Sequence, residues 1–174
     1  ITIRENDTPE GTCSLSMEGI EIEGNPEENL VVKAYREMCR IKLLPGVKIS
    51  LRKNIPTQAG MGGGSADCAY TLTALNSMFG MGLPASRMEE IAARLGADCA
   101  FFVKSEPCFA TGIGDMMQPV RLNLDKYWIV VVKPPISVST KEAFSGIRPQ
   151  KPPRCCREII EEEPVEKWRG LLHN

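Results

Sequence analysis

Four glycines in five residues, Gly60-Met61-Gly62-Gly63-Gly64, separate an alternating apolar stretch from a strongly apolar one, and no other feature limits the fold as sharply. Each glycine in a helix interior costs ~1 kcal/mol relative to alanine, so the run reads as loop. Before it, Val47, Ile49 and Leu51 alternate with Lys48, Ser50 and Arg52, the period of a half-buried strand. After it, Ala66, Ala69, Tyr70, Leu72, Ala74, Leu75, Met78 and Phe79 cover most of a helix circumference, which predicts a buried helix. Strand, glycine loop and helix in that order have a chemical use. Free N–H groups and the dipole at a helix N-terminus favour an anion, and glycines let the backbone approach its oxygens without Cβ atoms in the way. Ser65 adds a hydroxyl donor or a magnesium ligand at the helix start. A tight turn is the alternative reading of the same glycines. The GxxxxGK[ST] template fails for want of its lysine, and GxGxxG is not matched.

Other elements follow from periodicity. Ile1–Arg4, Ser14–Met17 and Ile20–Ile22 read as strands. Asn25-Pro26-Glu27-Glu28 reads as the entry to an amphipathic helix, carrying Leu30, Val31, Ala34, Tyr35 and Met38 to about Arg40. Ser86 and Glu89 form a capping box for a helix lined by Met88, Ile91, Ala92 and Leu95 and ended by Gly96. Phe101–Val103, Cys108–Thr111 and Tyr127–Val132 read as strands. Past Pro134 the chain turns proline-rich and then acidic, which puts a domain seam near Leu122–Lys126.

Two carboxylates draw notice. Asp98 falls between a helix end and an apolar run, where desolvation penalises a charge. It is either a satisfied turn residue or a carboxylate facing a cleft to accept a proton. Asp67, just inside the loop helix, reads as a helix cap turned away from any bound phosphate.

Composition removes several classes of function. With 21 basic and 22 acidic residues, the 174-residue chain has no broad positive field for nucleic acid. Apolar runs such as Trp128–Val132 are far shorter than the ~20 residues of a membrane helix. Seven cysteines without a CxxC pair and a single histidine, His173, offer no zinc-like spacing and no Ser-His-Asp or Cys-His site, so no metal ligand is assigned. Free thiols, no secretory leader and no membrane segment predict a cytoplasmic protein.

Pro56-Thr57-Gln58-Ala59-Gly60-Met61-Gly62-Gly63-Gly64-Ser65-Ala66-Asp67 resembles the phosphate-binding motif of the GHMP small-molecule kinases. Further matches follow in family order: Glu28-Asn29-Leu30-Val31, Gly96-Ala97-Asp98 with Phe101-Phe102, Phe109–Asp115, and Lys133–Thr140. The resemblance implies an α+β fold: a domain like the second domain of ribosomal protein S5 over 1–122, and the start of a ferredoxin-like domain over 123–174. It implies ATP with Mg2+ as phosphoryl donor. The implied acceptor is a hydroxyl of a small molecule, a cytidine diphosphate-linked methylerythritol of non-mevalonate isoprenoid synthesis. By residue-wise match, Pro56, Gly60, Gly62, Gly63, Gly64, Ser65 and Ala66 bind the ATP phosphates, and Asn29 and Lys53 lie along the nucleotide. Asp98 matches the catalytic aspartate, while Thr140 and Phe144 match positions at the cytidine, Phe144 as a stacking face. A monomer or homodimer acting without nucleic acid or membrane is implied.

The chain departs from the family in three places. An Ala-Lys-Ile-Asn-like strand, a Gly-Tyr-His segment and a Gly-Ser-Gly loop have no counterpart here, so the chain reads as the interior of a longer kinase. A GHMP kinase of the homoserine or mevalonate type, or a non-catalytic nucleotide-binding domain, are the alternatives.

Overall fold

The computed structural model describes residues 1–22, 24–56, 59–112, 114, 116–132, 134, 145–148 and 150–172. Contacts divide the chain into two compact units, one of residues 1–106 with 112–115 and the other of 107–111 with 116–174. The units part at Glu106–Pro107, ahead of the expected seam at Leu122–Lys126.

The first unit is built on a three-stranded sheet in the order β1-β3-β2, with β1 at Thr2–Glu5, β2 at Cys13–Gly19 and β3 at Val47–Lys53. The central strand β3 runs antiparallel to β1 (Thr2 opposite Ser50) and parallel to β2 (Cys13 opposite Val47, Gly19 opposite Lys53). Its alternation sends Val47, Ile49, Leu51 and then Lys53 inward. Ile20–Ile22 is no strand. Its one trace of pairing is the Ile20 N–H donating to the Lys53 carbonyl at 2.9 Å, one step beyond the β2–β3 ladder.

Helices cover that core. Asn25 caps a single 3-10 turn, Pro26–Glu28, and the α-helix proper, α1 at Leu30–Ile41, starts one turn later. Its cap is Asn29, whose side-chain oxygen accepts the Val31 N–H at 3.1 Å. Val31, Val32, Ala34, Tyr35 and Met38 are buried, and the Tyr35 hydroxyl donates to the Pro45 carbonyl at 2.8 Å. Helix α2 spans Gly63–Met78, so it takes in two glycines that composition assigns to the loop. In a first turn, N–H groups lack intrahelical acceptors in any case, so glycine there gives up less than it does mid-helix. One face of α2 is buried through Cys68, Ala69, Thr71, Leu72 and Leu75. Tyr70 and Met78 are exposed instead of enclosed, and with Ile1, Ile3, Asp67 and Ala74 they line an open cavity of about 480 Å3.

Helix α3 spans Ala85–Leu95 and buries Met88, Ile91 and Ala92. The expected capping box does not form. Pro84 occupies the cap, Ser86 is already helical, and Glu89 pairs with Lys104 at 2.8 Å. Phe101–Lys104 is a short helix, α4, rather than a strand. A run of i to i+3 bonds explains it: Cys99 N–H to Gly96, Phe102 N–H to Cys99 and Val103 N–H to Ala100, until Ser105 at φ +55° stops the turn. The phenyl rings of Phe101 and Phe102 meet edge to face at 5.0 Å.

In the second unit, β4 (Cys108–Thr111) pairs antiparallel with β5 (Met116–Pro119), with Cys108 opposite Pro119. Two short helices follow, α5 at Cys156–Glu162, which buries Ile159, and α6 at Val165–Trp168. Arg154 clasps Glu162 and Glu163 at 2.8 and 2.9 Å. The expected strand over Tyr127–Val132 has no partner among the described residues; Trp128 is 97% exposed.

Candidate functional site

The chain leaves the inward-facing end of β3 at Lys53, passes Pro56 and Gly60, and turns into α2 through Gly62. Gly62 is the cap of α2, at φ +62° with no side-chain capping bond. The first intrahelical bond runs from the Ala66 N–H to the Gly62 carbonyl at 2.8 Å, which leaves the amides of Gly63, Gly64 and Ser65 at the open end of the helix. With the helix dipole behind them, those amides favour an anion.

Close packing fixes the loop from beneath. A Cβ on Gly62 would stand 2.5 Å from Cζ of Phe102. One on Gly63 would stand 3.0 Å from Cγ2 of Ile55 and 3.2 Å from Nζ of Lys53. At Gly62 a neighbour leaves no room for a side chain, and at Gly63 the fit is tight. The Leu30 side chain comes within 3.9 Å of a Cβ built on Gly64, which sets Asn29 one residue from a loop contact. Asn29 itself lines a smaller cavity of about 150 Å3 with Met17, Ile22 and Asn25, and donates to the Met17 sulfur at 3.7 Å.

Lys53 is almost fully buried, and its ammonium donates to Oδ2 of Asp67 at 2.5 Å. Asp67 is thus no helix cap. Asp98 is exposed, and its carboxylate has neither hydrogen bond nor ion pair among the described residues. Its Oδ1 lies 3.8 Å from a Cβ built on Gly114. The residue after it, Cys99, is buried and ties this turn to the loop helix. Hydrogen bonds from Cys68 and from Ser65 lower the Cys99 pKa, against burial and the Asp98 charge, which raise it. The same hydrogen bond, together with burial, raises the pKa of Cys68. The structure therefore gathers Lys53, Gly62, Gly63, Gly64, Ser65, Ala66 and Asp98 into one unit. Thr140 and Phe144 lie outside the described residues.

Sequence reasoning missed three members of this neighbourhood: Asp67 as the partner of Lys53, Phe102 as the floor under Gly62, and the Cys68–Cys99 contact. Only Lys53 carried a signal, through the family resemblance. Among the described residues no group of three or more His, Cys, Asp or Glu is placed to hold a metal ion. Nor is any described helix long and apolar enough to cross a membrane.

A family model described as the GHMP kinases N terminal domain matches residues 29–106, the span that holds the loop, Lys53 and Asp98. The 4-diphosphocytidyl-2-C-methyl-D-erythritol kinase of Bacteroides fragilis is 50% identical over 160 residues, which is 92% of this chain and 58% of that protein. The chain belongs to the GHMP kinases. The kinase of the same description from Bacteroides thetaiotaomicron is 44% identical over all of this GHMP kinase chain and 63% of its own length. The chain thus spans about three-fifths of the curated relatives it matches. A crystal structure of 4-(cytidine 5'-diphospho)-2C-methyl-D-erythritol kinase aligns with a TM-score of 0.53 at 30% identity, over 70% of this chain and 41% of the other. The homoserine kinase of Cytophaga hutchinsonii aligns with a TM-score of 0.56 at 17% identity, over 86% of this chain and 51% of its own, and shows the shared fold.

Ser65 stands in the first turn of α2, its amide without an intrahelical acceptor. If the proposal below holds, Ser65→Ala in the full-length protein raises KM for ATP about tenfold or more, the worth of one hydrogen bond to a charged group. A titration of initial rates against ATP checks this, and an unchanged KM returns Ser65 to a packing role.

Proposed function

We propose that the full-length protein transfers the γ-phosphoryl group of ATP to a hydroxyl of 4-diphosphocytidyl-2-C-methyl-D-erythritol, as a cytoplasmic enzyme of isoprenoid precursor synthesis. The observation that carries this reading is a glycine loop at a helix N-terminus with a carboxylate, Asp98, unpartnered among the described residues, on the turn packed against that helix. Identity of 50% to a kinase of that description supports the choice of acceptor.

Glycine at 62 and 63 lets the loop pack down on Phe102 and Ile55, where a Cβ would stand 2.5 and 3.0 Å away, and the Gly63, Gly64 and Ser65 amides at the start of α2 favour the phosphates. Gly60, Gly62, Gly63, Gly64, Ser65 and Ala66 hold the phosphates, with Pro56 setting the loop's departure from β3. Asn29 and Lys53 complete the nucleotide side. Mg2+ accompanies ATP and neutralises phosphate charge; such an ion is held largely by phosphate oxygens and water, and no residue here is assigned to it. Asp98 accepts the proton of the attacking hydroxyl. Thr140 and Phe144 contact the cytidine end. Residues 1–122 belong to the ATP-binding domain and 123–174 open the second domain, in a monomer or homodimer.

Initial rates of ATP-dependent phosphorylation with the full-length protein, measured on the cytidine diphosphate substrate, homoserine and mevalonate, test the reading. Turnover on the first alone is expected. Preferential turnover of homoserine or mevalonate overturns the acceptor while leaving the kinase. Phe144→Ala raises KM for the cytidine substrate about tenfold or more, as expected for loss of a stacking face, with KM for ATP unchanged. Normal KM for both substrates removes Phe144 from the site.

A further inference from the structure

We propose that Asp67 is a positioning residue that acts on the nucleotide through Lys53; this rests on the kinase reading above. The inward alternation of β3 delivers Lys53 into the core, where its side chain is 4% exposed. A buried ammonium is stable there only with a partner that is charged and hydrogen-bonded. Among the described residues that partner is Asp67, at 2.5 Å.

The location gives the pair its use. Nζ of Lys53 lies 3.2 Å from where a Cβ on Gly63 would stand, so the cation rests against the first turn of α2. That turn is already the positive end of the helix dipole, with the Gly63, Gly64 and Ser65 amides free. Two positive sources this close repel each other unless a negative group joins them. Asp67, one turn further along the same helix, supplies it and holds the flexible lysine stem in a single direction. Without the carboxylate, the lysine gains by turning its ammonium toward water and away from the loop. Asp67 is 22% exposed at its side chain and opens on the cavity lined by Ile1, Ile3, Tyr70, Ala74 and Met78, so it touches no loop amide in place of a phosphate.

The test is a double-variant cycle in the full-length protein, read as KM and kcat for ATP and as Kd for ADP by calorimetry. Asp67→Asn keeps the shape and removes the charge. It raises KM for ATP and Kd for ADP about tenfold, the worth of a charge-assisted hydrogen bond, and leaves kcat within about twofold. Asp67→Glu, which restores a carboxylate, recovers part of that loss. Lys53→Met weakens nucleotide binding by itself, and Lys53→Met with Asp67→Asn is no weaker than Lys53→Met alone, because Asp67 acts only through the lysine. Additive losses in the double variant overturn the proposal. So does an Asp67→Asn protein with unchanged KM, or one that melts normally and loses kcat instead. Wild-type protein that binds neither ATP nor ADP defeats the kinase reading itself, a result separate from any pattern among the variants.

Discussion

Asp98→Asn in the full-length protein lowers the single-turnover rate of phosphoryl transfer by about 100-fold or more, the scale of a general-base contribution, while ATP and acceptor still bind. Phosphoryl transfer leaves the protein to position its reactants, neutralise charge and accept one proton. On the proposed reading Asp98 takes that proton. It is exposed and unpartnered among the described residues, whereas Asp67 is engaged by Lys53 at 2.5 Å. The adjacent Cys99 is buried, which anchors this turn in the core of the unit. Asparagine preserves the volume and the turn but cannot accept the proton. Rapid quench with saturating ligands measures the step, and a near-normal rate removes Asp98 as the base.

Gly62→Val has the second large effect, a fall of about 100-fold or more in kcat/KM for ATP, since a misplacement near 1 Å at a reacting centre costs on that order. Two causes act together. At φ +62° a β-branched residue is strained by its own backbone. Its Cβ would also lie 2.5 and 2.7 Å from Cζ and Cε2 of Phe102, so the ring or the loop must move. If the ring moves, it disturbs the short helix that begins three residues after Asp98; if the loop moves, the phosphate amides disperse. Gly60→Ala separates the causes, because Gly60 shares the positive φ, at +66°, but nothing stands within 4 Å of its Cβ position. Gly60→Ala is therefore the milder variant. Initial rates and thermal melts of both check this, and a Gly62→Val protein with kcat/KM near the wild-type value contradicts the geometry.

How far the sequence foretells this site varies with the physics of each part. The strand is legible from alternation over Val47–Arg52, whereas Lys53, the inward residue that ends it, is singled out only by the family resemblance. The partner of that lysine is not legible, because an ion pair between a strand end and the second turn of a helix leaves no spacing signature. The glycine loop is legible as an anion site, yet its boundary with α2 is not. Gly63 and Gly64 oppose helix by propensity, and tertiary packing against Ile55 and Leu30 prevails. Phe101–Val103 illustrates the ambiguity of a short apolar run, which fits strand or helix until the turn starting at Gly96 decides. Tyr127–Val132 has the composition of a strand, but a strand also needs an edge to pair with. Helices α5 and α6 are hidden in an acidic, proline-punctuated stretch: Arg154 pairs with Glu162 and Glu163 at the end of α5, Ile159 is its one buried residue, and Lys167 and Trp168 of α6 bond back to Glu163.

Transfer of the γ-phosphoryl label itself is the most direct measurement of the central claim. Full-length protein is mixed with γ-labelled ATP, Mg2+ and excess 4-diphosphocytidyl-2-C-methyl-D-erythritol for a single turnover, and the label is followed to product by chromatography. The site described here predicts label on the methylerythritol hydroxyl at a rate that Asp98→Asn suppresses. ATP that binds while its label stays on the nucleotide, with the acceptor present and saturating, contradicts the claim and makes the loop a nucleotide-binding device without transfer.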